Sequence, residues 1–255
     1  MKKCIVYTLV VTIMSQLIAD DDIHTGQISG DYSGESHVDS VWRDTYIQNG
    51  NIVYFSNETS DTNYTRADFS NAILTGAQFV NATLTKANFE NANLSSVNFS
   101  DAILSKSSFS NATIEGANFS NTGITKTQLY STSSYNDNKL SNVNFSKNDL
   151  SGWNFIGKDL TCTIFESSSL TNVDFTNALI AGANFSNTTG FTKEQLYSTS
   201  SYNNNDLQKI KLQNTDLSSW DFANKNLTGA NFEKATITNA NFKNSDITGD
   251  RKSVV

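Results

Sequence analysis

The segment from Ala67 to Thr122 reads ADFSN AILTG AQFVN ATLTK ANFEN ANLSS VNFSD AILSK SSFSN ATIEG ANFSN T, a sustained five-residue period. A small residue opens each unit, a large apolar residue stands two places later, and the other three positions are mostly polar. Five matches neither the 3.6-residue turn of a helix nor the two-residue alternation of a strand, so each unit must form one side of a winding coil. Such a coil has no fixed size, and the repeat says more about domain organisation than the 255-residue length does. Hydrophobic residues make up only 37% of the chain, so they must be placed regularly to build a core at all. Proline is absent, which leaves every backbone N–H free to join a ladder.

The large positions alternate Phe69, Leu74, Phe79, Leu84, Phe89, Leu94 and onward to Phe119 and Ile124, and most small positions are Ala. Units of this A(D/N)LXX type resemble the pentapeptide-repeat family, over roughly residues 62 to 249. The resemblance implies an all-β fold, a right-handed quadrilateral β-helix in which four units make one turn and the small and large residues face inward. On such a coil, the alternation places Phe on two opposite faces and Leu or Ile on the other two. Each column then repeats every fourth unit, with layers about 4.8 Å apart. Gly76, Gly116, Gly182 and other glycines close their units, where the chain must turn a corner.

A longer repeat overlies the short one. Ile124-Thr-Lys-Thr-Gln-Leu-Tyr-Ser-Thr-Ser-Ser-Tyr135 returns as Phe191-Thr-Lys-Glu-Gln-Leu-Tyr-Ser-Thr-Ser-Ser-Tyr202, and Leu150-Ser-Gly-Trp153 as Leu217-Ser-Ser-Trp220, both at a spacing of 67. Phe119, Ile124, Tyr135 and Leu140 stay in phase only if Leu129 is skipped. This predicts that the coil leaves its path twice, near 125–134 and 192–201, in two short loop or helix excursions. Thr192-Lys-Glu-Gln195 has the form of a helix capping box. Three turns separate the excursions, so both should leave the same face, roughly 14 Å apart. Trp153, Lys158, Trp220 and Lys225 occupy small positions and should force a bulge or turn outward. Tyr130, Tyr197, Trp153 and Trp220 are the candidate interaction residues, the tyrosines as a bivalent pair. The alternative is that the tyrosines fold back to cover the coil.

Outside the repeat, Met1–Ala19 carries two lysines and then an apolar run, which fits a signal peptide over residues 1–19. Residues 20–61 lack the period and hold alternating pieces such as Ser40–Arg43 and Ile52–Phe55, as a strand-forming N-terminal cap segment would. Residues 250–255 form a short C-terminal tail.

No catalytic set can be assembled. His24 and His37 precede the repeat without metal or triad spacing, the carboxylates are scattered, and there is no phosphate loop. No cofactor and no metal are expected, and Cys162 reads as an outward, unpaired thiol. A net charge of −7 argues against direct nucleic-acid binding. The expected function is therefore a non-catalytic scaffold that meets an unknown protein or surface partner. The leader places it as secreted, periplasmic or at the cell surface, with no membrane span once the leader is removed. End-to-end self-association is left open. The family resemblance implies an alternative, a DNA mimic that inhibits a type II topoisomerase.

Overall fold

The computed structural model describes residues 46–48, 51–54 and 63–249. The leader, both histidines, most of the expected cap and the tail lie outside the described residues. Before the coil, β1 (Tyr46–Gln48) pairs antiparallel with β2 (Asn51–Tyr54). The β2 strand falls within the expected Ile52–Phe55 piece apart from its first residue, whereas Ser40–Arg43 lies outside the described residues.

From Asn63 onward each five-residue side makes one parallel bridge to the side four units later, as in Asn63↔Thr83, Asp68↔Asn88, Ile73↔Asn93 and Gln78↔Asn98. Four sides thus make one turn. The sides are isolated bridges rather than extended strands, so the strand content expected of an all-β chain is small. Five residues that include a reversal leave room for little more than one paired position.

The backbone accounting explains the sequence pattern. In a typical unit the large residue and the corner residue donate to the next turn, as Phe69 N–H does to the Asn88 carbonyl (2.7 Å) and Asn71 N–H to Glu90 (2.8 Å). The residue before the large one donates to the previous turn, as Asn88 does to Ala67 (2.9 Å). The small residue closes a β-turn onto the preceding large one, as Ala77 does to Leu74 (2.9 Å). One N–H is left over, and the Asx side chain two residues earlier accepts it: Asp68 Oδ1 from Ser70, Asn88 Oδ1 from Glu90, Asn98 Oδ1 from Ser100. The frequent Asn and Asp at that position are therefore explained by satisfied backbone.

The corner residue is left-handed throughout. Gly76, Gly116 and Gly182 have φ near +70°, and Asn71, Asn81, Lys86, Asp101 and Cys162 share that conformation. A left-handed third residue is what a type II turn requires, and Asn tolerates it best after Gly. Cys162 is free and exposed at such a corner.

Inside, the two aromatic faces stack. Phe69 lies on Phe89 (5.1 Å, 8°) and Phe79 on Phe99 (5.4 Å, 9°), while Phe69 meets Phe79 across the coil edge to face (5.4 Å, 70°). The rings are fully buried, as are Leu74, Leu84 and Leu94 on the intervening faces. The last turn has no successor among the described residues, and Ile237, Phe242 and Ile247 are only partly buried there.

Two bridges break the period, Asn118↔Asn144 and Asn184↔Lys211, with separations of 26 and 27. The coil therefore departs for six extra residues in each case and gains one more in the second. Four short helices occupy the departures: α1 (Lys126–Tyr130), α2 (Ser133–Asn136), α3 (Lys193–Tyr197) and α4 (Ser200–Asn203).

The corner conformation gives a clean test. Asn81, with φ of 59°, makes no side-chain hydrogen bond to a described residue. Asn81→Gly should leave the melting temperature nearly unchanged, whereas Asn81→Val should cost about 1–2 kcal/mol in chemical denaturation.

Candidate functional site

The skipped residue is not the one the sequence suggests. Leu129 and Leu196 are completely buried and occupy the core positions one turn after Phe109 and Phe175, while Tyr135 and Tyr202 are the ones carried outside the coil. The helices begin where the excursions are expected, at Lys126 and Lys193, but Leu129 and Leu196 keep their core positions and the six extra residues fall after them. The phase argument could not separate the two readings, because skipping either residue gives the same count.

Several residues of the repeated motif replace backbone groups that the helices have withdrawn from the ladder, while others cap the helices themselves. Thr125 and Gln128 form a capping box at α1, and Thr192 and Gln195 form the same box at α3. The Gln128 amide then donates to the Leu104 (2.7 Å) and Ser107 (3.1 Å) carbonyls of the previous turn, as Gln195 does to Leu170 (2.9 Å) and Val173 (2.8 Å). Ser134 Oγ accepts the Ile114 N–H (2.8 Å), and Ser201 Oγ that of Ile180 (2.9 Å).

On the following turn the surrogates are the tyrosines. Tyr130 Oη accepts the Asn154 N–H and Tyr135 Oη donates to the Asn154 carbonyl (2.9 Å). In the second copy, Tyr197 Oη accepts from Asp221 N–H and Tyr202 Oη donates to the Asp221 carbonyl (2.9 Å). The paired rings stack at 4.2 and 4.4 Å. Two phenols thus take the place of the two backbone groups that would have paired with one coil residue.

Trp153 and Trp220 fill the space beneath. They are 5% and 6% exposed, so of the two expected outcomes, a bulge or an outward side chain, the outward one is corrected. Trp153 packs edge to face on Tyr130 and on Phe145, both at 6.4 Å, and Trp220 lies against Phe191 at 5.8 Å. The residue that would oppose each indole on the preceding turn belongs to a helix, which leaves room for a ring at a small position.

The lysines are likewise not expelled. Lys158 is 9% exposed; its Nζ donates to the Tyr135 carbonyl and Asn138 Oδ1, both at 2.7 Å, and sits 4.0 Å from the Tyr135 ring centre. Lys225 makes the same contacts to Tyr202 and Asn205. The ammonium groups close the exits of α2 and α4, and burial lowers the pKa of both. Burial also pushes the phenols up, Tyr202 to about 12 from its ordinary 10.0, with Tyr135 shifted in the same direction.

What remains free at the excursions is the outer rim: Lys126, Asn136, Asp137 and Lys139 in the first, and Lys193, Glu194, Asn203 and Asn204 in the second, all exposed. Among the described residues no group of three or more His, Cys, Asp or Glu could hold a metal ion. No helix of the described residues is long and apolar enough to cross a membrane.

A sequence model described as pentapeptide repeats matches in eight copies, over residues 62–101, 84–121, 92–129, 139–177 and 210–249. The chain belongs to the pentapeptide repeat family. The matches stop at 129 and resume at 139, which brackets the stretch where the first excursion leaves the coil. No curated protein sequence matches the chain. Among solved structures it is similar to HetL, a pentapeptide repeat protein involved in heterocyst differentiation regulation in the cyanobacterium Nostoc (22% identity, 75% of this chain and 66% of that one, TM-score 0.19). It is also similar to a pentapeptide repeat protein of the Arabidopsis thaliana thylakoid lumen (29% identity, 46% and 66%, TM-score 0.24). A third is QnrB1, a plasmid-mediated fluoroquinolone resistance protein (17% identity, 75% and 83%, TM-score 0.28). The chain thus spans 66% of the length of each of the first two. Family membership rests on the repeat match and not on these superpositions.

Two predictions concern this region. Trp153→Ala removes a buried indole and should destabilise the coil by about 3–5 kcal/mol in urea denaturation. The Tyr202 phenol has a folded pKa above its unfolded value, so its contribution to stability is present below pH 10.0 and lost as pH rises through about 12. Phenolate absorbance should show a late step near that pH, and Tyr202→Phe should remove it and flatten the alkaline loss of stability.

Proposed function

We propose that the chain is a non-catalytic, extracytoplasmic interaction scaffold whose contact points are the rims of the two excursions. The observation that carries this reading is the placement of two like excursions on one side of the rod, three turns apart, so that one extended partner can meet both at once. Because the repeated tyrosines and tryptophans are committed to the coil, the contact moves from those residues to Asn136, Asp137, Asn203 and Asn204. These four differ between the copies only at Asp137 against Asn204, while around them Thr127 and Lys139 of the first rim stand where Glu194 and Asp206 do in the second. The rod itself sets their separation, and we infer that it winds right-handed, as the family implies.

The apolar leader at Met1–Ala19 supports an extracytoplasmic location. The rival, duplex mimicry toward a type II topoisomerase, draws support from the net charge of −7 and from family membership. Against it stands the distribution of charge. Asp68 and Glu90 share one side of the coil while Asp101 and Glu115 lie on two others, where a duplex mimic needs carboxylates in continuous rows.

Expression of the full chain followed by fractionation separates these readings. Export with loss of the leader, read by mass of the product, is the expected result; an intact cytoplasmic product that inhibits supercoiling would sink the scaffold. Replacing Asn136, Asp137, Asn203 and Asn204 together by Ala should abolish capture of the surface partner with the melting temperature retained, and restoring one rim should recover only weak capture.

A further inference from the structure

The cations of the first three turns are not scattered like the carboxylates. Between residues 63 and 125 the only Lys or Arg residues are Arg66, Lys86 and Lys106, and Lys126 follows at the same interval of 20. The coil period stacks the first three along one left-handed corner, one per turn, over roughly 10 Å, and Lys126 follows them as the first residue of α1. All four are exposed. None of Arg66, Lys86 and Lys106 makes a side-chain hydrogen bond or ion pair to any described residue, and Lys126 Nζ donates only to the Gly152 carbonyl (2.9 Å) while facing the Tyr130 ring. The regular turns do not ask for cations there: farther along, the same corner holds Gly152, Asn172, Ser219 and Asn239, and a lysine returns only as Lys193, which opens α3 as Lys126 opens α1.

Beside this row runs a second one. The residue before each cation is Thr65, Thr85, Ser105 and Thr125, so the first three turns present a hydroxyl next to a positive charge, while the Thr125 hydroxyl is held in the α1 capping box. At this position in some other units the hydroxyl is taken by the neighbouring Asx side chain, as Ser95 is by Asn93 and Ser151 by Asp149, whereas from Ser70, Ser100 and Ser120 the Asx oxygen accepts only the backbone N–H. Thr65, Thr85 and Ser105 have no such side-chain bond to a described residue and keep their hydroxyls for solvent or a ligand.

We propose that the row Arg66, Lys86, Lys106 and Lys126, with its hydroxyl companions, is a docking strip for a linear carboxylated polysaccharide. A polyuronate repeats a carboxylate and hydroxyls along a narrow extended chain, and one sugar ring is about as long as one coil turn is thick. Each of the first three turns can then offer an ammonium or guanidinium to a carboxylate and a hydroxyl to the ring. The strip is one residue wide and is flanked by Asp68 and Glu90 on one side and Asp101 on the other, which disfavours a broad polyanion such as a duplex or an anionic bilayer. No aromatic ring is exposed along it for stacking of unpaired bases. This goes beyond the scaffold reading and does not depend on it, because the strip and the excursion rims share no residue but Lys126.

The test is affinity electrophoresis of the full chain through gels containing polygalacturonate, with neutral dextran, single- and double-stranded DNA and phosphatidylglycerol vesicles as competitors. Retardation by polygalacturonate, relieved by salt but not by dextran, is expected. Lys86→Asn with Lys106→Asn keeps a residue that the left-handed corner accepts and should weaken binding about tenfold without lowering the melting temperature. The control Lys147→Asn with Lys234→Asn, at equivalent corners on another edge, should leave binding unchanged. The proposal is overturned if wild-type chain is not retarded, if the control pair weakens binding as much as the strip pair, or if DNA or vesicles compete through the same lysines more strongly than free polygalacturonate does.

Discussion

The structure depends on a single obligation: each turn of a coil this narrow must hydrogen-bond to the turns above and below, since a buried backbone group left unpaired costs about 1–3 kcal/mol. Within the regular segment the obligation is met locally, by a bridge from each side to the side one turn on, by β-turns at the corners and by Asx side chains for the one N–H that neither serves. The aromatic stacks then fill a cross-section whose size the backbone has already set. An inward Phe and an inward Ala are two halves of one requirement, a large group and a small one sharing each side of a core only one residue deep.

The excursions show the same obligation under stress. When the chain forms α1 and α2, its backbone groups turn inward to their own helices and two neighbouring turns lose their partners. The repair is made by side chains: Gln128 and Ser134 toward the preceding turn, Tyr130 and Tyr135 toward the following one, Lys158 across the exit. The same set recurs at the second excursion with the same geometry. The long repeat is thus a hydrogen-bonding unit, and the residues that make those bonds are the ones least available to a partner.

This explains what could be read in advance. The period, the Phe and Leu faces, the glycine corners, the existence of two departures and the capping boxes all follow from local rules that act within a few residues or at fixed multiples of five. Leu129 and Tyr135 were harder, since a count of phase treats either as the residue left out. Only packing distinguishes them, because the branched aliphatic fits a dry core whereas the phenol needs an acceptor at its rim. Trp153 and Lys158 were misjudged for a related reason: the small-residue rule assumes a neighbouring turn of regular shape, and both stand next to one that is irregular. The cation row was legible throughout as an interval of 20, but it carries no structural function, and a search for catalytic groupings passes over it.

Regularity itself then becomes a guide to function. A position whose identity is explained by the coil's hydrogen bonding or by its core has no information left to give about partners, and that removes the repeated tyrosines, the tryptophans and most of the Asn. What is left over is a short set: the excursion rims and the row of cations with free hydroxyls. The rims are discrete and identical in spacing, which suits a partner with two matched sites. The row is continuous and advances by one layer step, which suits a polymer. A rod of nearly nine turns, roughly 42 Å long, can carry both kinds of contact without either disturbing the core, because in a coil of this kind the outward positions are coupled to one another only through the step between layers.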